Sequence, residues 1–275
     1  MSQILALSSA VLYGIADFAG GVATRSVDVW RVTAWSQLLG VPLLAVGIVI
    51  VGWSEVTTAD LVYGAVGGAL GLVGIVALYS ALAAGTMSIV SPLTGTMIVV
   101  IPVVWGLATG ERITPVQWMG IALAIVAVVL VARDHAHARL TRTVALQALV
   151  ASFAFAGFFI VLDRTAEASG VWPLVSARIL TVPVAFVVAM LMRSAAVPPR
   201  GSMLAIAAAG NADVGANIAI LLALQSGPLG ISSVLTSLYP AFTVLAAVVI
   251  LHERPTIQQR IGIGLALVAA VILVV

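Results

Sequence analysis

Long apolar runs separated by short polar breaks fill the chain from end to end, and this rhythm predicts its elements. Crossing ~30 Å of hydrocarbon takes ~20 residues of helix, and lipid offers unpaired backbone groups no other partner. Windows of that length fall at 3–23, 31–52, 60–83, 87–109, 115–132, 143–162, 173–192, 203–225, 229–250 and 257–275. The expectation is an all-α polytopic membrane protein with ten transmembrane helices. Its breaks carry glycine, proline and charge, as in Trp53-Ser54-Glu55, Gly85-Thr86, Gly110-Glu111-Arg112, Pro198-Pro199-Arg200, Gly227-Pro228 and His252-Glu253-Arg254-Pro255.

The pattern is stated twice. At a constant offset of about 142 positions, Gly85 matches Gly227, Ser91 Ser233, Thr94 Thr236, Glu111 Glu253, Arg112 Arg254, Gln117 Gln259 and Gly120 Gly262. Val29-Trp30 likewise matches Val171-Trp172, and Tyr13 matches Phe155. Residues 1–133 therefore read as a first five-helix repeat, 134–142 as a polar connecting loop and 143–275 as a second five-helix repeat. Five is odd, so the second copy enters the membrane reversed, which is the inverted-repeat plan of many secondary transporters.

Composition fixes the solvent. With 62% hydrophobic and 8% charged residues, the chain has too little polar surface to cover a soluble globule. The first apolar run lacks a basic leader and carries Asp17, so it reads as a retained span and not a cleaved signal. All twelve basic residues are Arg, set mostly beside apolar runs, which argues for membrane flanks and against nucleic acid as a partner. Without Lys there is no Gly-Lys phosphate loop, and without Cys there is no thiolate chemistry.

The segments Ser91-Pro92-Leu93-Thr94 through Gly110-Glu111-Arg112-Ile113-Thr114-Pro115-Val116-Gln117-Trp118-Met119-Gly120, and Ser232 to Pro240 through His252-Glu253-Arg254 to Gly262, resemble the repeated ends of the EamA family of the drug/metabolite transporter superfamily. The resemblance covers essentially the whole chain. It implies a ten-helix, alternating-access carrier of small organic metabolites or drugs, with its pocket between the two halves and neither ATP hydrolysis nor a cofactor. Expected partners are membrane lipid, a small-molecule substrate and optionally protons, for a monomer or homodimer in the cytoplasmic membrane. The resemblance also implies cytoplasmic termini. The arginines disagree: Arg25, Arg31, Arg133, Arg139, Arg142, Arg193, Arg200, Arg254 and Arg260 lie opposite the N-terminus against only Arg112 and Arg164 on its side, which favours external termini.

Polar residues within the spans mark the candidate pathway. Asp213 sits mid-span, where an ionised carboxylate facing lipid costs about 2.5–3.5 kcal/mol, so it should face the interior and hold a coupling proton or a cationic group. Asn217 shares its face at i+4, while Asn211 and Gln225 take another face; helix–helix adhesion is the competing role. Arg178 either snorkels to the headgroups or turns inward to pair with Asp213 or a substrate anion. Tyr13, Asp17 and Gly21 share one face of the first span, and Gln37 and Trp35 in the second are weaker candidates. Ser91 and Thr94, with their equivalents Ser233 and Thr236, form either a wall common to both halves or simple packing contacts.

Pro42, Pro92, Pro102, Pro183 and Pro240 fall inside spans, where each removes a backbone hydrogen bond and makes a kink or gate. Gly64, Gly67, Gly68, Gly71 and Gly74 read as a packing surface, and the Glu111-Arg112 and Glu253-Arg254 pairs as anchors of helix ends or gate charges. His135 and His137 read as a solvated linker, with no metal site. A passive channel and, further off, an intramembrane enzyme are the alternatives to a carrier; all three His lie in loops and no Gly-x-Ser-x-Gly is present, so no catalytic residue is assigned.

Overall fold

A computed structural model describes residues 1–53, 55–83, 87–132, 142–252 and 254–274, and within these the side chains other than 78–83, 87–95 and 132. The elements are α1 (Ser2–Thr24), α2 (Val29–Val51), α3 (Thr58–Ala83), α4 (Met87–Ala108), α5 (Pro115–Ala132), α6 (Arg142–Leu162), α7 (Trp172–Leu191), α8 (Arg200–Ser226), α9 (Leu229–Thr236), α10 (Tyr239–Leu251) and α11 (Ile257–Val274). A 3-10 turn at Glu167–Ser169 precedes α7, and no strand occurs among the described residues. Eight segments are long and apolar enough to cross a membrane, with α9 and α10 together forming one of them, and 96–108 and 115–131 are shorter apolar helices. The chain is a multi-pass integral membrane protein.

One predicted element differs. The ninth span is two helices joined at Ser237-Leu238. Pro240 has no N–H to give the Thr236 carbonyl and its ring crowds that carbonyl, so the helix stops and restarts with Pro240 in its first turn. Pro42 and Pro183, by contrast, lie within the unbroken α2 and α7, and Pro102 within α4. Ser91, Pro92 and Thr94 lie outside the described side chains, as do His135, His137 and Glu253.

Three helices begin with the same reciprocal cap. The Thr57 N–H donates to Asp60 Oδ2 at 2.9 Å and the Asp60 N–H to Thr57 Oγ1 at 3.2 Å. Thr114 and Gln117 repeat the pair at 2.9 and 3.3 Å, and so do Thr256 and Gln259 at 2.9 and 3.3 Å. Each box satisfies two backbone donors at a helix start. The match of Gln117 to Gln259 in the duplicated sequence therefore has a local structural cause.

The main helix contacts pair up under exchange of the two copies. As α1 packs on α8, α6 packs on α3; as α2 lies against α8, α7 lies against α3; and α2 meets α7, α4 meets α9 and α5 meets α11. Small residues set these distances. A methyl added at Gly68 would come within 2.8 Å of Ala177 Cβ on α7, Gly67 and Gly71 face Phe158 on α6, and Gly74 sits under the Phe155 ring. The α3 glycines are thus a two-sided packing surface, since without side chains two helices can approach α3 at once.

Candidate functional site

The centre of the bundle is best entered along α1. Ile4 and Ile15 are exposed on its outer face, and at 3.6 residues per turn the opposite side carries Ala6, Ala10, Tyr13, Asp17 and Gly21. Ala6 and Ala10 have no exposed surface, Tyr13 is half-buried and Asp17 and Gly21 are exposed. A Cβ at Gly21 would meet nothing within 4 Å. Interior-facing residues that are closed in one half of α1 and open in the other define a crevice. It ends near Tyr13 and opens toward Arg25.

Opposite Tyr13 stands α8. The Tyr13 hydroxyl donates to Asn217 Oδ1 at 3.0 Å, and Asn217 Nδ2 donates back to the Asp213 carbonyl at 2.7 Å, which fixes the amide orientation. Arg178 turns inward from α7: one guanidinium nitrogen pairs with Asp213 Oδ2, and the other donates to Gln37 Oε1 on α2 at 3.0 Å. Its side chain is 15% exposed and that of Asp213 33%. Arg178 and Asp213 thus neutralise each other, and Gln37 occupies a further guanidinium donor. The snorkelling alternative for Arg178 is not the one realised.

Asp17 is different. No hydrogen bond or ion pair reaches it among the described residues, and its electrostatic neighbour is Asp213, a like charge. The titratable groups around Tyr13 are Asp213, Arg178, Asp17 and Tyr239, and the Tyr239 ring meets Tyr13 edge to face at 6.4 Å. Four helices and α10 therefore converge on one constellation. An open crevice of about 280 Å³, lined by Val41, Val175, Val182 and Pro183 among others, leads to Arg178 between α2 and α7.

Other candidates lie elsewhere. Asn211 donates to Ala207 O at 2.8 Å and to Leu39 O at 3.4 Å, joining α8 to α2. Gln225 holds the 165–170 loop through Ala166 O at 3.0 Å and Gly170 O at 3.2 Å. The Thr236 hydroxyl donates to Ala6 O at 3.2 Å, the buried Ser233 hydroxyl has no partner among the described residues, and Trp35 packs against Phe186 at 5.6 Å. Tyr239 and the commitment of Gln37 to Arg178 were not anticipated. Gln37 and Arg178 lie 141 residues apart, and no local pattern pairs them.

The closed end is held by Glu111. Gly110 at φ +103° turns the chain after α4, and the Glu111 N–H closes on Gly106 O at 2.8 Å. This geometry aims the carboxylate at α9, where it accepts the Gly230 N–H at 3.0 and 3.3 Å. Asp163 follows α6 nearby, and burial pushes its carboxyl up from 3.8 to about 6; Arg164 opposes the shift and Glu111 adds to it. A folded-state pKa above the unfolded one means that folding takes up a proton, so stability falls as pH rises from 4 to 6 and stays lower above. The full shift corresponds to about 3 kcal/mol, reduced to about 1–2 for a partly exposed group. Asp163→Asn should remove this slope, and thermal melts at pH 4.5 and 7.5 check it; equal slopes for both proteins would sink the assignment.

The opposite end is tied differently. Arg31 Nε donates to Ser194 O at 3.2 Å, Ser194 donates to Asp28, and Ser26 meets Ser202 at 3.2 Å.

Comparison with known proteins decides the family. A model of the EamA-like transporter family matches residues 1–133 and again 142–275. The chain belongs to the EamA-like transporter family. EamA proteins belong to the drug/metabolite transporter superfamily. No curated protein matches this EamA chain in sequence. A solved structure, described only as "Crystal structure of protein", superposes with a TM-score of 0.80 over 98% of this chain and 95% of that one, at 18% identity. At that identity the likeness shows the fold alone. The double match of the family model coincides with the duplicated sequence, so both halves of this EamA protein carry the family pattern.

Proposed function

We propose that this EamA protein is a secondary transporter of small organic metabolites or drugs, embedded in the cytoplasmic membrane as two inverted five-helix repeats that alternate access to the central site. One observation carries the reading: charged and polar side chains of α1, α2, α7 and α8 meet in mid-bundle, where a crevice reaches them from one end while α9 and Glu111 close the other. Main helix contacts that pair up under exchange of copies support a second, mirrored arrangement. The equivalent spans differ in the structure, α4 being one helix and its counterpart the pair α9 and α10. That difference has a sequence cause, since the position of α4 matching Pro240 is Ile98, which keeps its N–H.

Proton coupling, where it operates, runs through Asp17. Asp213 is already matched by Arg178, whereas Asp17 is exposed and unpaired among the described residues. Reconstituted protein should show saturable, counterflow-competent uptake; linear, unsaturable flux would identify a passive channel instead. With a driven substrate, Asp17→Asn should abolish acceleration by a proton gradient while retaining counterflow. Full gradient-driven uptake by that variant would remove Asp17 from the coupling role.

A further inference from the structure

We infer that the central site takes an organic cation, an ammonium group borne on an apolar or aromatic body, with Asp17 as its counter-ion. This rests on the carrier reading for its biological sense and names the substrate class of the same site.

Charge comes first. Two carboxylates and one guanidinium meet here, and the guanidinium is bound to Asp213. Counted with all three groups ionised, a residual formal charge of −1 sits on Asp17, which is exposed and has no partner among the described residues. An isolated carboxylate at this depth is unfavourable, and an entering cation is the group that relieves it. An anionic substrate would approach an unmatched carboxylate and would have to displace Asp213 from Arg178.

Polar valence weighs against a second class. The Asn217 amide is engaged by the Asp213 carbonyl and the Tyr13 hydroxyl, and the Gln37 oxygen is taken by Arg178. The groups left over are the Gln37 amide nitrogen, one Asn217 N–H and carboxylate oxygens, a set dominated by negative charge that suits a cation better than a neutral polyhydroxylated substrate, whose desolvated hydroxyls each need a partner.

The surroundings of Asp17 supply the rest. Tyr13 lies one helical turn away and Tyr239 stands edge-on to it at 6.4 Å. The duplication sharpens this: where α1 carries Tyr13 and Asp17, α6 carries Phe155 and Phe159, and where α8 carries Asp213 and Asn217, α3 carries Gly71 and Ile75. Phe155 packs on Gly74, half-buried like Tyr13. At matching positions α1 and α8 thus provide the charge, and α6 and α3 only apolar and aromatic groups. That division fits an amine head with a hydrophobic body, and aromatic faces add attraction for the ammonium.

Calorimetric titration of the full-length protein in detergent tests the assignment with 2-phenylethylammonium, 2-phenylethanol and 3-phenylpropionate, which are similar in size and differ in charge. The ammonium is expected to bind at least about tenfold more tightly than the other two, and Asp17→Asn to lose about tenfold of that affinity while Asp17→Glu keeps it. Equal or better binding of the alcohol or the carboxylate overturns the proposal. So does an absence of ammonium binding, or unchanged affinity in Asp17→Asn. Melting temperatures report whether the variants are folded, and the ranking of the three probes on the unaltered protein decides the matter without them. Ammonium binding without saturable flux would remove the carrier reading and leave the cation site; saturable flux of another solute without ammonium binding would do the reverse.

Discussion

Asp213→Ala is expected to destabilise the folded protein by about 3 kcal/mol, because it strands the Arg178 guanidinium inside the bundle. The value sits at the lower end for a broken buried pair, since the Asp213 side chain is 33% exposed and water reaches it. The double variant Arg178→Met with Asp213→Leu should recover most of the loss: it removes both charges, and with them the desolvation cost that the pair must offset. Thermal unfolding of the unaltered protein, the single variant and the double variant in one detergent measures the recovery. If the double variant is as unstable as the single one, the loss lies in packing and not in the unpaired charge.

Gly68→Leu should have an effect of similar size by a different route. Its Cβ alone would come within 2.8 Å of Ala177 Cβ and 2.9 Å of Ala177 Cα, so α3 and α7 must move apart before the rest of the side chain is placed. Overpacking of this kind costs about 1–3 kcal/mol and more when backbone blocks relaxation. Gly71→Ala is the internal control. Its added methyl meets only Phe158 Cδ2, at 3.7 Å, which is ordinary contact, and replacing a helical glycine is itself favourable by about 0.5–1 kcal/mol. Equal losses from both changes would show that the close approach at Gly68 is not what positions α7.

These expectations reach the site through α7. That helix carries Arg178 at the end of a lever whose position Gly64 and Gly68 set, and Ser176 on the same helix donates to Leu61 O on α3 at 2.7 Å. A displaced α7 would carry the guanidinium away from Asp213 and leave two unmatched carboxylates in the crevice.

Much of the architecture was legible in the chain. Apolar runs longer than the hydrocarbon thickness leave helix as the means of pairing the backbone within one segment, so the helices and their approximate ends follow from length and composition. The duplicated positions were equally readable, and some had local causes that could have been stated in advance: Thr114 with Gln117 and Thr256 with Gln259 have the spacing of a reciprocal cap. The break in the ninth span was only half visible. Pro240 marked a kink, but whether a helix bends or stops at proline depends on what holds the flanking segments, and here residues 229–238 are buried against α1 and α4.

The candidate site was legible as a set of residues and not as an arrangement. Asp213, Asn217, Asp17, Tyr13, Arg178 and Gln37 are conspicuous because polar groups in apolar spans are costly and must be matched or used. Sequence made Asp213 the leading carboxylate for its mid-span position; the fold gives Asp213 to Arg178 and leaves Asp17 open.

By itself, then, the sequence determined a duplicated helical membrane protein with its polar residues confined to a few spans, because the energetics of lipid act on each segment separately. Only the tertiary structure decided which carboxylate is neutralised, which end of the bundle is closed and which hydroxyls merely join helices. Those outcomes depend on pairings such as Arg178 with Gln37, formed across many intervening residues, where geometry chooses among partners that composition makes equally suitable.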